Sequence, residues 1–312
     1  MTPLSQKVIA EYMVRKTGKQ KKAFRAMLVE ELNNLGMDAR EEKGRDMFGS
    51  VNVVVGDPDN AQMLFGAHYD TCPRLPFPNF ITPRNIWVFI AFQIAMVLAI
   101  VIPFLLLMAV AVFPLQDKYP LLADVVNLTI YAALMLLLFK GPANPNTYND
   151  NTSGVVGLIE LMAKMPEEVR SRCAFVFFDN EEVGVLGSAA FRSLHKACAK
   201  NVPMVNLDCI GDGDHLMLSA SKKFRADEAL YTALQEAFSD KGSVMHVEAE
   251  KTIYPSDQAG FKASLAIAAL KKGKRVGYYM DRIHTVKDTV LREDNVERIA
   301  DGLSETAQKY FG

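Results

Sequence analysis

Cysteine is scarce: four residues in 312, Cys72, Cys173, Cys198 and Cys209, with no Cys-x-x-Cys spacing. That excludes a disulfide framework and thiolate zinc sites, and it fits a reducing, cytoplasmic setting. Cys173 and Cys209, beside apolar strand-like runs, read as small core residues. Net charge is nearly absent as well, with 35 Lys and Arg against 36 Asp and Glu, so nothing global directs the chain to nucleic acid. The first residues lack an apolar run followed by a small-residue cleavage site, so no secretory signal is expected. The charge asymmetry that does exist lies in residues 1–25, where Lys7, Arg15, Lys16, Lys19, Lys21, Lys22 and Arg25 face Glu11 alone. It reads either as one face of a solvated helix or as a footing on an anionic membrane surface.

Against that sparse background one apolar stretch stands out. Ile86 to Phe113 runs for 28 residues without a charged side chain, Gln93 being its one strongly polar residue. About 20 apolar residues as helix cross a bilayer core, so the stretch is long enough to span with some tilt. Pro103 in its middle should kink it. After the link Gln116-Asp117-Lys118-Tyr119-Pro120, a second apolar segment covers Leu121 to Phe139, weakened by Asp124 and Asn127. Together they predict a transmembrane helical hairpin over 85–140; the alternative is a buried helical hairpin packed on the body or in a dimer interface. Arg74, Arg84 and Lys140 flank the hairpin on the side of the remaining chain, while the link holds Lys118 beside Asp117. By the positive-inside rule the main domain, 1–84 with 141–312, is then cytoplasmic.

Outside the hairpin, strand and helix patterns alternate. Residues 5–35 read as helical with Gly18 as a break and Gly36 as the C-terminal cap. Residues 51–55, 62–67, 174–178, 202–207, 216–218 and 266–270 read as strands; 155–165, 188–195, 227–238 and 293–310 read as helices. The fold class is α/β: a mixed, mostly parallel twisted sheet with helices on both faces, plus the inserted hairpin. Polar residues gather where apolar elements end. His68 and Asp70 follow one strand, two apart and so on one side of it. Asp179, Asn180, Glu181 and Glu182 follow Ala174 to Phe178, and Asp208 follows Leu207. Asp150 precedes the helix at Val155, and His284 lies ahead of the last helix. In an open α/β sheet the carboxyl ends of strands are where ligands bind. Taken singly, the Glu181–Glu182 pair also fits a solvated loop, and Asp150 also fits a helix N-cap. Collected, two histidines and several carboxylates supply what a two-zinc site needs.

The order and contexts of these segments resemble the co-catalytic zinc exopeptidases, which include bacterial leucine-type aminopeptidases and glutamate carboxypeptidase II; glutaminyl cyclases and the transferrin receptor share that fold. The matching pieces are Gly66-Ala67-His68-Tyr69-Asp70-Thr71, Asn149-Asp150-Asn151-Thr152-Ser153-Gly154, Asp179-Asn180-Glu181-Glu182-Val183-Gly184, Asn206-Leu207-Asp208-Cys209-Ile210-Gly211 and His284-Thr285-Val286-Lys287-Asp288-Thr289. Ser256-Asp257-Gln258 resembles a further segment whose third residue is usually His. The resemblance covers about 5 to 310, excepting about 85–140. It implies two Zn2+ ions, with Co2+ or Mn2+ as alternatives: His68 and Asp208 on one, Glu182 and His284 on the other, and Asp150 bridging both. It also implies that Asp70 orients His68 and that Glu181 is the general base acting on a metal-bound hydroxide nucleophile. His195, His215 and His246 match no family position and read as surface or packing residues. Asp288 reads as a cap for the last helix.

The function implied is a membrane-anchored metallo-aminopeptidase acting on peptides with a free N-terminus, with membrane lipid as a partner and homo-oligomerisation left open. Alternatives are an amidohydrolase of a non-peptide amide with the same metals, or a non-catalytic receptor or scaffold on the same fold. A one-zinc cyclase would be expected to lack His at position 68, which this chain keeps.

Overall fold

The computed structural model describes residues 1–312 apart from 76, 78 and 241, and for 137–140 the backbone alone. Nine strands are described: β1 (Ala39–Lys43), β2 (Val51–Val55), β3 (Met63–His68), β4 (Cys173–Phe178), β5 (Met204–Leu207), β6 (His215–Ala220), β7 (Val244–Glu248), β8 (Ser264–Gly273) and β9 (Gly277–Tyr279). The longer helices are α1 (Pro3–Glu11), α2 (Gly18–Asn34), α3 (Ile86–Ala111), α4 (Pro120–Lys140), α5 (Gly154–Lys164), α6 (Leu186–Leu194), α7 (Glu228–Ala237) and α8 (Glu293–Phe311).

The strands form one sheet in the order β1-β2-β4-β3-β5-β8-β6-β7, with β9 added to β8. At the centre β4, β3, β5 and β8 run parallel. Their residues are apolar on both faces and almost wholly buried, as central strands of a covered sheet must be. Phe65, Phe175 and Phe177 pack with α1, α5 and α8 on one face. Leu64, Val176 and Phe178 pack with Phe191 of α6 on the other, so helices cover both faces. The expectation of a mostly parallel sheet holds for this centre and for the outer pair β6–β7, which is also parallel. The joins on either side of the centre are antiparallel, β1 to β2 to β4 on one side and β6 and β9 to β8 on the other, leaving the described pairings evenly divided.

Strands β1, β7 and β9 have no counterpart in the sequence reading. β1 is Ala-Arg-Glu-Glu-Lys, an edge strand whose charges face water and hide its pattern. Gly18 begins α2 rather than breaking a helix, because Thr17 and Gln20 form a capping box there. Gly36 does take the left-handed conformation that follows a helix C-terminus. The basic N-terminal segment is internal in part, with Lys19 and Lys22 exposed. Arg15 is wholly buried, Lys21 pairs with Asp179 at 2.7 Å and Arg25 with Glu41 at 3.0 Å.

The insertion forms two helices joined at Phe113–Gln116, with Pro103 lying inside α3 without ending it. No residue of α3 is buried. Among the described residues α3 with its following turn is the one helix long and apolar enough to cross a membrane; the described part of α4, Pro120–Leu136, is apolar but shorter. Of the charged flanks, the Lys140 side chain lies outside the described residues.

Candidate metal and catalytic site

The parallel register fixes where the polar residues meet. His68 pairs with Phe178 across β3 and β4, and Gly66 pairs with Asn206 across β3 and β5. His68, Glu181, Glu182 and Asp208 therefore leave three adjacent strands at the same carboxyl edge. The turn at 148–153 and the loop before α8 bring Asp150 and His284 to that edge.

Asp150 lies at the centre. Its Oδ1 is 3.4 Å from His68 Nε2 and its Oδ2 is 3.1 Å from His284 Nε2. Each histidine faces a second carboxylate: His68 Nε2 is 3.6 Å from Asp208 Oδ1, and His284 Nε2 is 3.3 Å from Glu182 Oε2. Ligand atoms of His68, Asp150 and Asp208 lie within 4.8 Å of one another, as do those of Cys72, Glu182 and His284. Three of the four non-glycine residues described with left-handed backbone are at this edge: Asn180 before Glu181, Cys209 after Asp208, and His284 itself. That conformation costs about 1–3 kcal/mol each, and such costs collect where a side chain must be aimed.

The surrounding hydrogen bonds explain residues that capping does not. Both carboxylate oxygens of Asp70 accept backbone N–H bonds, from Glu181 at 2.9 Å and Glu182 at 3.2 Å. Its Oδ1 is also 3.6 Å from His68 Nδ1, although that nitrogen is nearer the Asp70 backbone carbonyl, at 3.2 Å. One carboxylate thus ties the glutamate turn to the histidine strand. Asp288 is not a helix cap, a correction to the sequence reading. Arg292 holds the N-cap position of α8, and the Asp288 carboxylate accepts from the backbone N–H of Asn149 at 2.8 Å and of Asp150 at 3.0 Å. Asn149 and Asn151 clamp the turn to the segment after β5: the Asn149 side-chain oxygen accepts from Gly211 N and Asp212 N, while Asn151 donates to Leu207 O and accepts from Cys209 N. Gly187 is required where it stands, because a Cβ there would lie 2.0 Å from the carbonyl oxygen of Asp179.

The charges are out of balance without a cation. Burial alone would lower the pKa of His68, yet Asp150, Asp208 and Asp70 raise it well above its ordinary value. Burial likewise opposes protonated His284, but Glu182 and Asp150 lift it to about 9. Burial would raise Asp150, and the two histidines instead hold it below the usual carboxylate range. Burial, with Asp150 adding to it against His284, pushes Glu182 up to about 8. Burial also pushes Glu181 well up, His68 opposing and Asp257 and Glu182 adding to the rise. Asp208 Oδ1 and Glu182 Oε1 are buried without a hydrogen-bond partner. Buried oxygens left unpaired among crowded carboxylates are what a bound divalent cation would satisfy, and the His, Asp and Glu donors suit zinc. The residues present therefore fit such an ion.

Four contributors escaped the sequence reading. Cys72 lies with Glu182 and His284; it follows Asp70 by two residues, and its burial pushes the thiol pKa well up. Asp257 is fully buried with neither oxygen hydrogen-bonded, and burial pushes it up to about 7. Arg15 donates to the Tyr69 carbonyl and to Thr152 Oγ1, bracing two of the site segments from behind. Tyr254 donates to the Asp208 carbonyl at 3.0 Å. Of these, only Asp257 had a signal, the Ser-Asp-Gln segment. His195 sits apart between Glu42 and Asp59, His246 bonds the Phe238 carbonyl, and His215 packs edge-on to Tyr278.

The profile of peptidase family M28 matches residues 139–307, more than half of the 312. The chain belongs to that family. The matched span holds Asp150, Glu181, Glu182, Asp208 and His284; His68 and Asp70 precede it and are brought in by the fold. No curated protein sequence matches. Among solved structures, Porphyromonas gingivalis glutaminyl cyclase is similar at 14% identity, covering 98% of this chain and 95% of its own, with a TM-score of 0.58. A Zn-dependent exopeptidase from Parabacteroides distasonis is similar at 16% identity, covering 97% and 94%, with a TM-score of 0.55. Legionella pneumophila LapA aminopeptidase is similar at 13% identity, covering 98% of this chain and 69% of that one, with a TM-score of 0.56. At these identities the likeness is one of fold.

Proposed function

We propose that the protein is a membrane-anchored, zinc-dependent aminopeptidase that removes the N-terminal residue from peptides. One observation carries the reading: Asp150 turns one carboxylate oxygen to each of two histidines, and each histidine faces a further carboxylate. His68, Asp150 and Asp208 would hold one ion, and Asp150, Glu182 and His284 a second. Zinc when bound supplies Lewis acidity and lowers the pKa of its water. Glu181 takes a proton from the attacking water and passes it to the leaving amine. Asp70 positions Glu181 by accepting its backbone N–H. A non-catalytic scaffold would be free to lose this convergent set, and the chain keeps all of it.

The catalytic domain is 1–84 with 141–312, and 85–140 is a transmembrane hairpin. The support is α3, apolar on every side and with no buried residue. Arg74 and Arg84 on the body side favour a cytoplasmic catalytic domain. The test is hydrolysis of aminoacyl arylamides by detergent-purified protein, before and after chelation and zinc return. Turnover lost with the chelator and restored by zinc is expected. Bound metal with no free-amine substrate hydrolysed would move the assignment to another amide.

A further inference from the structure

All four cysteines are buried and free, but they are not buried alike. Cys173, Cys198 and Cys209 each belong to a hydrophobic cluster of the body, where a thiol packs as a small apolar group. Cys72 belongs to none of these clusters, although it is 0% exposed. Its neighbours are polar instead: its Sγ lies within 4.8 Å of ligand atoms of both Glu182 and His284. The Glu182 side chain is 7% exposed, and its Oε1 is buried without a hydrogen-bond partner. The segment that carries the thiol is fixed from several sides. Thr71 Oγ1 accepts from Arg15 N at 3.0 Å, and the Cys72 carbonyl accepts from Asn144 N at 3.3 Å. Leu75 N donates to the His284 carbonyl at 2.8 Å, which ties this segment to the one bearing the histidine. Asp70, two residues before the thiol, accepts from the backbone N–H of Glu182 at 3.2 Å. The supports that place Glu182 and His284 therefore place Cys72 as well.

Resting on the metal-site reading above, we propose that Cys72, as a thiolate, is a further ligand of the ion assigned to Asp150, Glu182 and His284. The thiol proton leaves to solvent as the sulfur binds the ion. That position then has four protein donors, the number at which a zinc site is closed, whereas His68, Asp150 and Asp208 give the other position three and leave it open. The two positions become unequal in chemistry as well. A sulfur donor favours zinc or cadmium, while a nitrogen and oxygen set also accepts manganese. The missing Cys-x-x-Cys spacing excludes sites built on paired thiolates and is silent on a single one.

The experiment loads the metal-free full chain, in detergent, with Co2+ alone. It records the near-ultraviolet spectrum and the bound metal per chain on one sample. Expected in the unaltered protein are two ions per chain and a thiolate-to-cobalt charge-transfer absorption. Cys72→Ser, close in size, should lose that absorption and hold the second ion at least about 100-fold more weakly, the upper end of what losing an outer support costs. Cys209→Ser, which changes the buried thiol next to Asp208, should keep the absorption. Two cobalt ions bound by the unaltered protein without the absorption would overturn the inference, and this reading does not depend on any variant folding. So would an absorption that survives Cys72→Ser or is lost in Cys209→Ser alone. In each of these cases the metal site itself would stand. No cobalt bound at all would instead remove the metal-site reading, and the inference with it.

Discussion

Helix α5 and helix α3 are both rich in apolar residues, and they meet opposite fates. In α5, nine of eleven residues, Gly154 to Met162, are buried against the sheet and α8. In α3, none of 26 is buried. The body around α5 also buries what the hairpin lacks, namely His68, Asp70, Asp150 and Asp208. The body hides its apolar surface from water and uses the dry interior to crowd charges that a cation would balance. The hairpin shows its apolar surface outward. Composition already separates the two helices, since α5 carries Glu160 and Lys164 and α3 carries no charge; the structure adds what covers each one.

That contrast can be broken in several ways, the largest first. If the hairpin spans the bilayer, alkaline carbonate should leave the full chain in the membrane pellet. Replacing 85–140 by a short Gly-Ser link should then move the protein wholly to the supernatant. A full chain extracted by carbonate would make the hairpin a packing element instead. Asp150→Ala removes the carboxylate between both histidines. It should lower turnover by on the order of 10³-fold, and direct metal analysis should find ions lost. Asp288→Asn keeps every candidate ligand but weakens the hold on the turn that carries Asp150. It should cost about 10-fold to about 100-fold in activity or metal affinity, read from titration of the metal-free protein. An Asp288→Asn protein equal to the parent would mean that the Asn149 and Asn151 clamps suffice without it.

The sequence disclosed the site better than its supports. His68, Glu181, Glu182 and Asp208 were legible because each follows a buried apolar run, and a strand end is a place that pattern reveals. Arg15 and Cys72 were not, since nothing local marks a residue whose partners lie far along the chain: Arg15 meets Thr152 137 positions away. Asp288 was misread for the same reason, its partners being Asn149 and Asp150 rather than the nearby helix. In the fold, the central strands were legible as apolar runs. Edge strand β1, charged where it meets water, was not.

The most direct test of the central claim is Glu181→Gln, with metal content and arylamide turnover determined on one detergent-purified sample. The account predicts metal bound as in the parent and turnover lower by on the order of 10³-fold, because the substitution removes a proton carrier and leaves the candidate ligands in place. Turnover close to that of the parent, with metal retained, would contradict it.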